Sequence, residues 1–199
     1  ATWTLINDFF GNLIVSAIAQ DPTNPDIMYF STGEGYVGVG ANPGSERGIG
    51  VFKSTDHGIT WNLLPSTSSF TYSTKMLCDN AGNIYLGTAG VGLGLVRSTD
   101  GGTTWTNITP TGLGANIGDI ELSSTGRLHV TGRSNQWYRF TDNPITVTAG
   151  AGWTAPVTDF SSGTQRAELG VNGNTLYVLP STGGQVSAVW KSIDGGLNW

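Results

Sequence analysis

The sequence has one cysteine, Cys78, so no disulfide can form within the chain. Its neighbours Met76 and Leu77 are apolar, which predicts a small buried hydrophobe and not a reactive thiol. Charge is scarce as well: Asp, Glu, Lys and Arg make up 12% of 199 residues, against roughly a quarter in ordinary globular chains. Nine Lys plus Arg face fourteen Asp plus Glu, and no basic run occurs anywhere. That argues against a phosphate-tracking surface and so against nucleic-acid binding. No apolar run approaches ~18 residues, which argues against membrane insertion. Ala1-Thr2-Trp3-Thr4 lacks the basic and apolar regions of a signal peptide, so any such leader has already been removed. His57 and His129 have no matching ligand cluster, so neither a metal nor a cofactor is expected. Helical periodicity is missing beyond the length of a turn.

Glycine, by contrast, is abundant. Thirty glycines, seven tryptophans and many Ser, Thr and Asn suggest many tight turns between short strands. Three octapeptides align without gaps: Ser54-Thr55-Asp56-His57-Gly58-Ile59-Thr60-Trp61, Ser98-Thr99-Asp100-Gly101-Gly102-Thr103-Thr104-Trp105 and Ser192-Ile193-Asp194-Gly195-Gly196-Leu197-Asn198-Trp199. They share Ser-x-Asp-x-Gly-x-x-Trp. The first two tryptophans are 44 residues apart and the next two 94, which predicts a degenerate copy midway. Thr141-Asp142 with Gly152-Trp153-Thr154 fits that place, its turn lengthened by residues 143–151. Trp3 with Thr4 reads as the tail of an earlier copy.

Between these boxes each unit repeats a β-branched or aromatic strand plan. Thr74 to Cys78, Asp119 to Leu122 and Glu168 to Val171 run into turns such as Asn172-Gly173-Asn174, and Ile84-Tyr85-Leu86, Leu128-His129-Val130 and Leu176-Tyr177-Val178 follow. A glycine loop then leads to the strand that enters the box. Four antiparallel strands per ~45 residues is the unit of a propeller blade. The reading is all-β: a β-propeller of four-stranded antiparallel blades, about four of them, spanning 13–64, 65–108, 109–156 and 157–199.

Within a box, Asp56, Asp100 or Asp194 can accept hydrogen bonds from backbone N–H groups across the turn, and Ser54, Ser98 or Ser192 more weakly. Gly58, Gly102 or Gly196 supplies the positive φ. Trp61, Trp105, Trp153 or Trp199 can bury ~150–250 Å². A catalytic acid is needed once, whereas a folding staple is needed in every blade. The aspartates therefore read as structural.

Ser-x-Asp-x-Gly-x-x-Trp resembles the Asp box, or BNR repeat, of sialidases, sortilin-type propellers, xyloglucanase-type glycoside hydrolases and a photosystem II assembly factor. Asp21-Pro22-Thr23-Asn24-Pro25-Asp26-Ile27-Met28-Tyr29, with Ser31-Thr32-Gly33-Glu34-Gly35, further resembles the secreted bacterial sortilin and xyloglucanase branch. The resemblance covers essentially the whole chain. It implies boxes at the outer rim, away from the functional face, and a family that mixes enzymes with binding modules.

Function is then expected on the loops at the opposite ends of the same strands. The loop Gly33 to Gly48 is about ten residues longer than its counterpart Gly87 to Gly94 and carries Glu34, Tyr36, Glu46 and Arg47. In the third blade Trp137 and Tyr138 offer a ring pair for stacking a sugar, or else pack between blades. Phe70, Tyr72 and Arg166 lie in loops joining one blade to the next. A glycosidase needs two carboxylates ~5–9.5 Å apart, for which Glu34, Glu46, Asp119, Glu121, Asp159 and Glu168 are the pool, and Glu34 and Glu46 the candidates. No arginine triad of the sialidase kind can be assembled. The preferred function is a non-catalytic module for a polysaccharide or protein ligand, with glycoside hydrolysis of the xyloglucanase or sialidase-like group as the alternative. Scarce lysine with abundant Ser, Thr and Asn resembles secreted bacterial proteins, so a secreted or cell-surface location is expected. The chain is expected to be part of a larger propeller. Either further blades or a second copy closes the ring, or residues 1–6 supply an outer strand for a preceding or closing blade.

Overall fold

The computed structural model describes residues 2, 14–35, 46–90, 93–133, 138–158, 166–182 and 184–199. They form four antiparallel sheets in chain order. The first comprises β1 (Val15–Gln20), β2 (Met28–Thr32), β3 (Val51–Ser54) and β4 (Asn62–Leu63), hydrogen-bonded in that order. The second repeats it with β5 (Ser73–Cys78), β6 (Ile84–Thr88), β7 (Leu95–Ser98) and β8 (Thr106–Asn107). The third has β9 (Ile117–Leu122), β10 (Leu128–Gly132) and β11 (Tyr138–Thr141), its outer edge reduced to a bridge between Phe140 and Thr154. The fourth has β12 (Arg166–Asn172), β13 (Thr175–Thr182), β14 (Gln185–Val186) and β15 (Trp190–Ser192), with β14 and β15 both paired to β13.

Meander connectivity fixes which loops share an end. The turns after the first and third strands of a sheet lie at one end, and the loops after the second and fourth at the other. The first-to-second-strand hairpins turn at glycines with positive φ, Gly82 (77°), Gly126 (85°) and Gly173 (59°), where any other residue would be strained.

The core lies between sheets. Tyr29, Val51, Phe70, Met76, Ile84 and Leu86 fill the first junction, and Tyr85, Leu95, Ile108, Ile117, Ile120 and Val130 the second. Tyr138, Phe140, Ala167, Leu169, Leu176 and Val178 fill the third. Each buried Val, Leu, Ile, Phe or Met side chain among these contributes ~1.5–3 kcal/mol relative to exposure. Strands covered on both faces, such as β6 and β10, are buried at every residue. β13 alternates instead: Leu176, Val178 and Pro180 are buried, while Tyr177 and Leu179 are exposed. Cys78 packs partly buried against the first junction, and burial, then Asp21 and Asp79, push its thiol up to about 12. No helix among the described residues is long and apolar enough to cross a membrane.

Candidate functional site

The three complete octapeptides fold into one turn between the third and fourth strand positions. Ser54 Oγ donates to Asp56 Oδ1 (2.7 Å) and accepts from the Gly58 amide (2.8 Å). Asp56 then receives the Thr60 amide at Oδ1 (2.8 Å) and the Thr60 hydroxyl at Oδ2 (2.6 Å). Ser98, Asp100, Gly102 and Thr104 repeat this with distances of 2.8, 2.9, 2.8 and 2.6 Å. Ser192, Asp194, Gly196 and Asn198 repeat it with 2.7, 2.9, 3.0 and 2.7 Å, an amide replacing the hydroxyl. The side-chain donor six residues after the Ser, Thr60, Thr104 or Asn198, followed by that residue's amide and the serine, holds each carboxylate at about 2. Groups held that low stay ionised at neutral pH and cannot serve there as general acids.

The tryptophans reach back toward the preceding sheet. Trp105 meets Phe70 edge-on at 5.5 Å, Trp153 donates Nε1 to the Ile108 carbonyl (2.9 Å), and Trp199 meets Tyr138 at 5.1 Å. Trp61 packs on Phe30 at 4.7 Å. The degenerate turn gives its aspartate a different job. With the insertion, the Thr146 amide bonds the Asn143 carbonyl (3.1 Å) and is not offered to Asp142. Asp142 instead takes Arg127 through Nε (2.6 Å) and Nη2 (3.0 Å), and this pair holds its carboxyl below the usual range. Arg127 lies 4.3 Å over the Phe140 ring and donates Nη1 to the Gly195 carbonyl of the next sheet (2.8 Å).

At the opposite end, the described parts of the Gly33–Gly48 loop are sewn to the entry of the second sheet. Glu34 forms a parallel bridge with Ser73, the Gly35 amide bonds the Ser73 carbonyl (3.0 Å), and the Gly48 amide bonds the Thr71 carbonyl (2.7 Å). The Glu34 amide meets the Glu46 carbonyl (3.0 Å), so the loop's two stems run side by side. Glu34 is half-buried, while Glu46 and Arg47 are exposed. Arg133, leaving β10, donates Nη1 to the Gly35 carbonyl and ties the third sheet to this loop. Tyr36, Trp137 and Asp159 lie outside the described residues, as do residues 1–6 apart from Thr2.

Tyr138 does not line this surface. It is fully buried at the start of β11, with its hydroxyl 2.5 Å from His129 Nδ1, because alternation along β11 turns Tyr138 and Phe140 together toward the fourth sheet. Burial, then Arg127, depress His129 to about 4, so it is neutral near pH 7. Phe70, 5% exposed, is likewise core. His57 pairs with Asp26 at 2.6 Å.

The inner strands carry a row of charges that sequence reading assigned no partners. Lys75 Nζ lies 3.2 Å from Asp119 Oδ1 and 2.9 Å from Glu121 Oε1. Burial lowers the Lys75 pKa, but Asp119 and Glu121 outweigh it and the net shift is upward. Asp119 is wholly buried and also receives the Ile120 and Leu169 amides (2.8 Å each). Arg166 pairs with Glu168 two residues on. Separations above forty residues hide the Lys75 contacts in the sequence. The Arg166–Glu168 spacing, two residues on one strand face, was visible. Two shallow depressions, of about 330 Å³ beside Leu93, Thr109 and Ala149 and about 320 Å³ beside Asp79, Ser123 and Pro144, include none of these charges.

No protein-family model matches the chain, and no curated protein matches it in sequence. Solved structures do. YCF48 from Cyanidioschyzon merolae is 15% identical with a TM-score of 0.64, covering 100% of this chain and 58% of its own. The GH74 enzyme of Niastella koreensis is 21% identical with a TM-score of 0.58, covering 93% and 37%. PorZ, a surface component of the type-IX secretion system of Porphyromonas gingivalis, is 14% identical with a TM-score of 0.57, covering 89% and 28%. The chain thus spans less than two thirds of each. At such identities the likeness is one of fold, and by fold the chain is a partial β-propeller of four antiparallel sheets.

Proposed function

We propose that this chain is an Asp-box propeller segment, with blades at 13–64, 65–108, 109–156 and 157–199, acting as a secreted or cell-surface module that binds a polysaccharide or protein ligand without catalysis. The ligand is taken by loops at the end opposite the box turns, with Glu34, Tyr36, Glu46 and Arg47 of the Gly33–Gly48 loop and Trp137 of the third-blade loop as the contact residues. One observation carries the non-catalytic reading. The inner-strand carboxylates are committed to partners, Asp119 and Glu121 to Lys75 and Glu168 to Arg166, and so are poorly placed to protonate a leaving group or activate water. The described stems of the loop, by contrast, are hydrogen-bonded to the entry of the second sheet and carry exposed charge at Glu46 and Arg47, which suits recognition of a polar ligand. Titration calorimetry against a panel of neutral and acidic polysaccharides, with a reducing-end assay on the same mixtures, tests it. Binding weakened about tenfold by Glu46→Gln or Arg47→Ala, with no new reducing ends, is the expected result. Hydrolysis abolished by Glu34→Gln or Glu46→Gln would establish the glycosidase alternative.

A further inference from the structure

Three junctions between sheets on this chain use one device, and the third is built around a titratable ring. Lys53, immediately before the box Ser54, lies 5.5 Å over the ring of its cross-strand neighbour Tyr29 and donates to the Gly101 carbonyl of the second sheet (3.2 Å). Arg97, immediately before Ser98 and opposite Tyr85, donates to the Pro144 carbonyl of the third sheet (2.6 Å). At the third junction Phe140 stands in the cation's place, and Arg127 lies over that ring to reach the Gly195 carbonyl of the fourth sheet. Each acceptor is the carbonyl three residues after the box Ser or its Thr141 counterpart, even where the rest of the turn has degenerated.

Two further differences accompany that one. Opposite Phe140 stands His129, where the other junctions have Tyr29 and Tyr85. Three residues before Thr141 stands Tyr138, where they have Val51 and Leu95. All six side chains are at most 2% exposed. The first two junctions close on an apolar side chain at that position, so the blade contact itself does not require the His129–Tyr138 pair. The pair meets through Nδ1 and the hydroxyl at 2.5 Å, and His129 Nε2 has no partner among the described residues. The same hydroxyl stands against Gly196 of the fourth box, and Trp199 meets the Tyr138 ring edge-on.

The surrounding charges leave no place for an imidazolium. Arg127 approaches from the entry to β10 and already holds Asp142. On β9, Glu121 lies opposite His129 and Asp119 shares that face, both paired with Lys75 of β5. Ala167, Leu169, Leu176 and Val178, the fourth-sheet residues packed on Tyr138 and Phe140, are uncharged. A second ring proton would add a buried cation beside Arg127 and an Nε2–H with no acceptor among the described residues.

We infer that the His129–Tyr138 pair is an acid-operated catch: protonation of the buried imidazole opens the junction between the third and fourth sheets while the first two junctions stay shut. Burial, then Arg127, hold the ring at about 4 against 6.5 when solvated, so its contribution to the closed junction is complete above about pH 6.5 and is lost as pH falls through about 4. The inference does not depend on the ligand proposed above.

Amide hydrogen exchange of the wild-type chain between pH 7 and about 4.5, read by mass spectrometry and corrected for the intrinsic pH dependence of exchange, tests it. The opening constant in β10, β11 and β12 is expected to rise about fiftyfold over that range, and that in β6 and β7 by less than about threefold. His129→Tyr combined with Tyr138→Leu rebuilds the Tyr85 and Leu95 pair of the second junction and is expected to abolish the response. His57→Gln, in the first box turn, is expected to leave it intact. A rise spread evenly over all four sheets, or a response that survives the double variant, overturns the inference. Titration of the two histidine rings by NMR needs no variant: a His129 that protonates near its solvated value with exchange protection retained overturns it as well.

Discussion

Gly196→Ala puts the box turn to a quantitative test. Gly196 is buried at φ +89°, a conformation that costs an L-residue about 1–2 kcal/mol. A Cβ there would also overlap the Tyr138 hydroxyl and stand 2.6 Å from Tyr138 Cζ. Tyr138 has nowhere to retreat, being 0% exposed, bonded to His129 and packed on Trp199. Overpacking of this kind adds about 1–3 kcal/mol. The sum, about 2–5 kcal/mol, lowers Tm by roughly 5–20 °C in a chain of this size. Gly126 has nearly the same φ, +85°, with nothing within 4 Å of a Cβ, so Gly126→Ala carries the backbone cost alone, about 1–2 kcal/mol. Gly170 has neither a positive φ nor a neighbour within 4 Å, and alanine there is expected to be neutral or to stabilise by about 0.5 kcal/mol. Adding Tyr138→Phe to Gly196→Ala removes the hydroxyl overlap and is expected to recover part of the loss. Calorimetric melts of the series decide the matter: equal Tm losses for Gly196→Ala and Gly126→Ala would refute the steric reasoning.

Further outcomes follow from the charges. Asp56, Asp100 and Asp194 fall from 3.8 to about 2 on folding, so their stabilisation is present above about pH 4 and is lost as pH falls through about 2. The triple Asp→Asn variant is therefore expected to melt lower at pH 7 and to show a flatter Tm profile between pH 4 and 2, read by circular dichroism. Lys75→Met leaves the buried Asp119 charge without its ion partner and is expected to cost about 2–4 kcal/mol in urea unfolding, discounted because the lysine is partly exposed. Cys78, its thiol pushed up to about 12, is expected to react with iodoacetamide at pH 8 at least a hundredfold faster in denaturant than in the native state.

The octapeptide spacing was enough to read four sheets, because the box is a local device whose groups all lie within eight residues of one another. It also located Asp142 and Trp153 from the interval alone. What Asp142 does was hidden, since its partner Arg127 sits 15 residues away, in the turn that leads into β10. The same distance effect hid Lys75, Asp119 and Glu121, which meet only when inner strands of adjacent sheets are packed. Two other features are legible in the sequence. The alternation Tyr138-Arg139-Phe140 marks both rings for one buried face, against a surface role for Tyr138. The basic residue just before the box serine, at Lys53, Arg97 and Lys191, extends the motif by one position.

That extra position gives each unit that carries it a direction, much as a stud on one brick meets a socket on the next. A copied unit brings both halves of its fastening with it, so it fits between any two neighbours provided it enters whole and in the same orientation. A truncated or reversed copy would leave one cation without a carbonyl and one carbonyl without a cation. Tandem duplication is therefore the path by which such an array lengthens at least structural cost, and the shift from Lys53 to the Phe140–Arg127 arrangement shows how a single link can be rewired without disturbing the others.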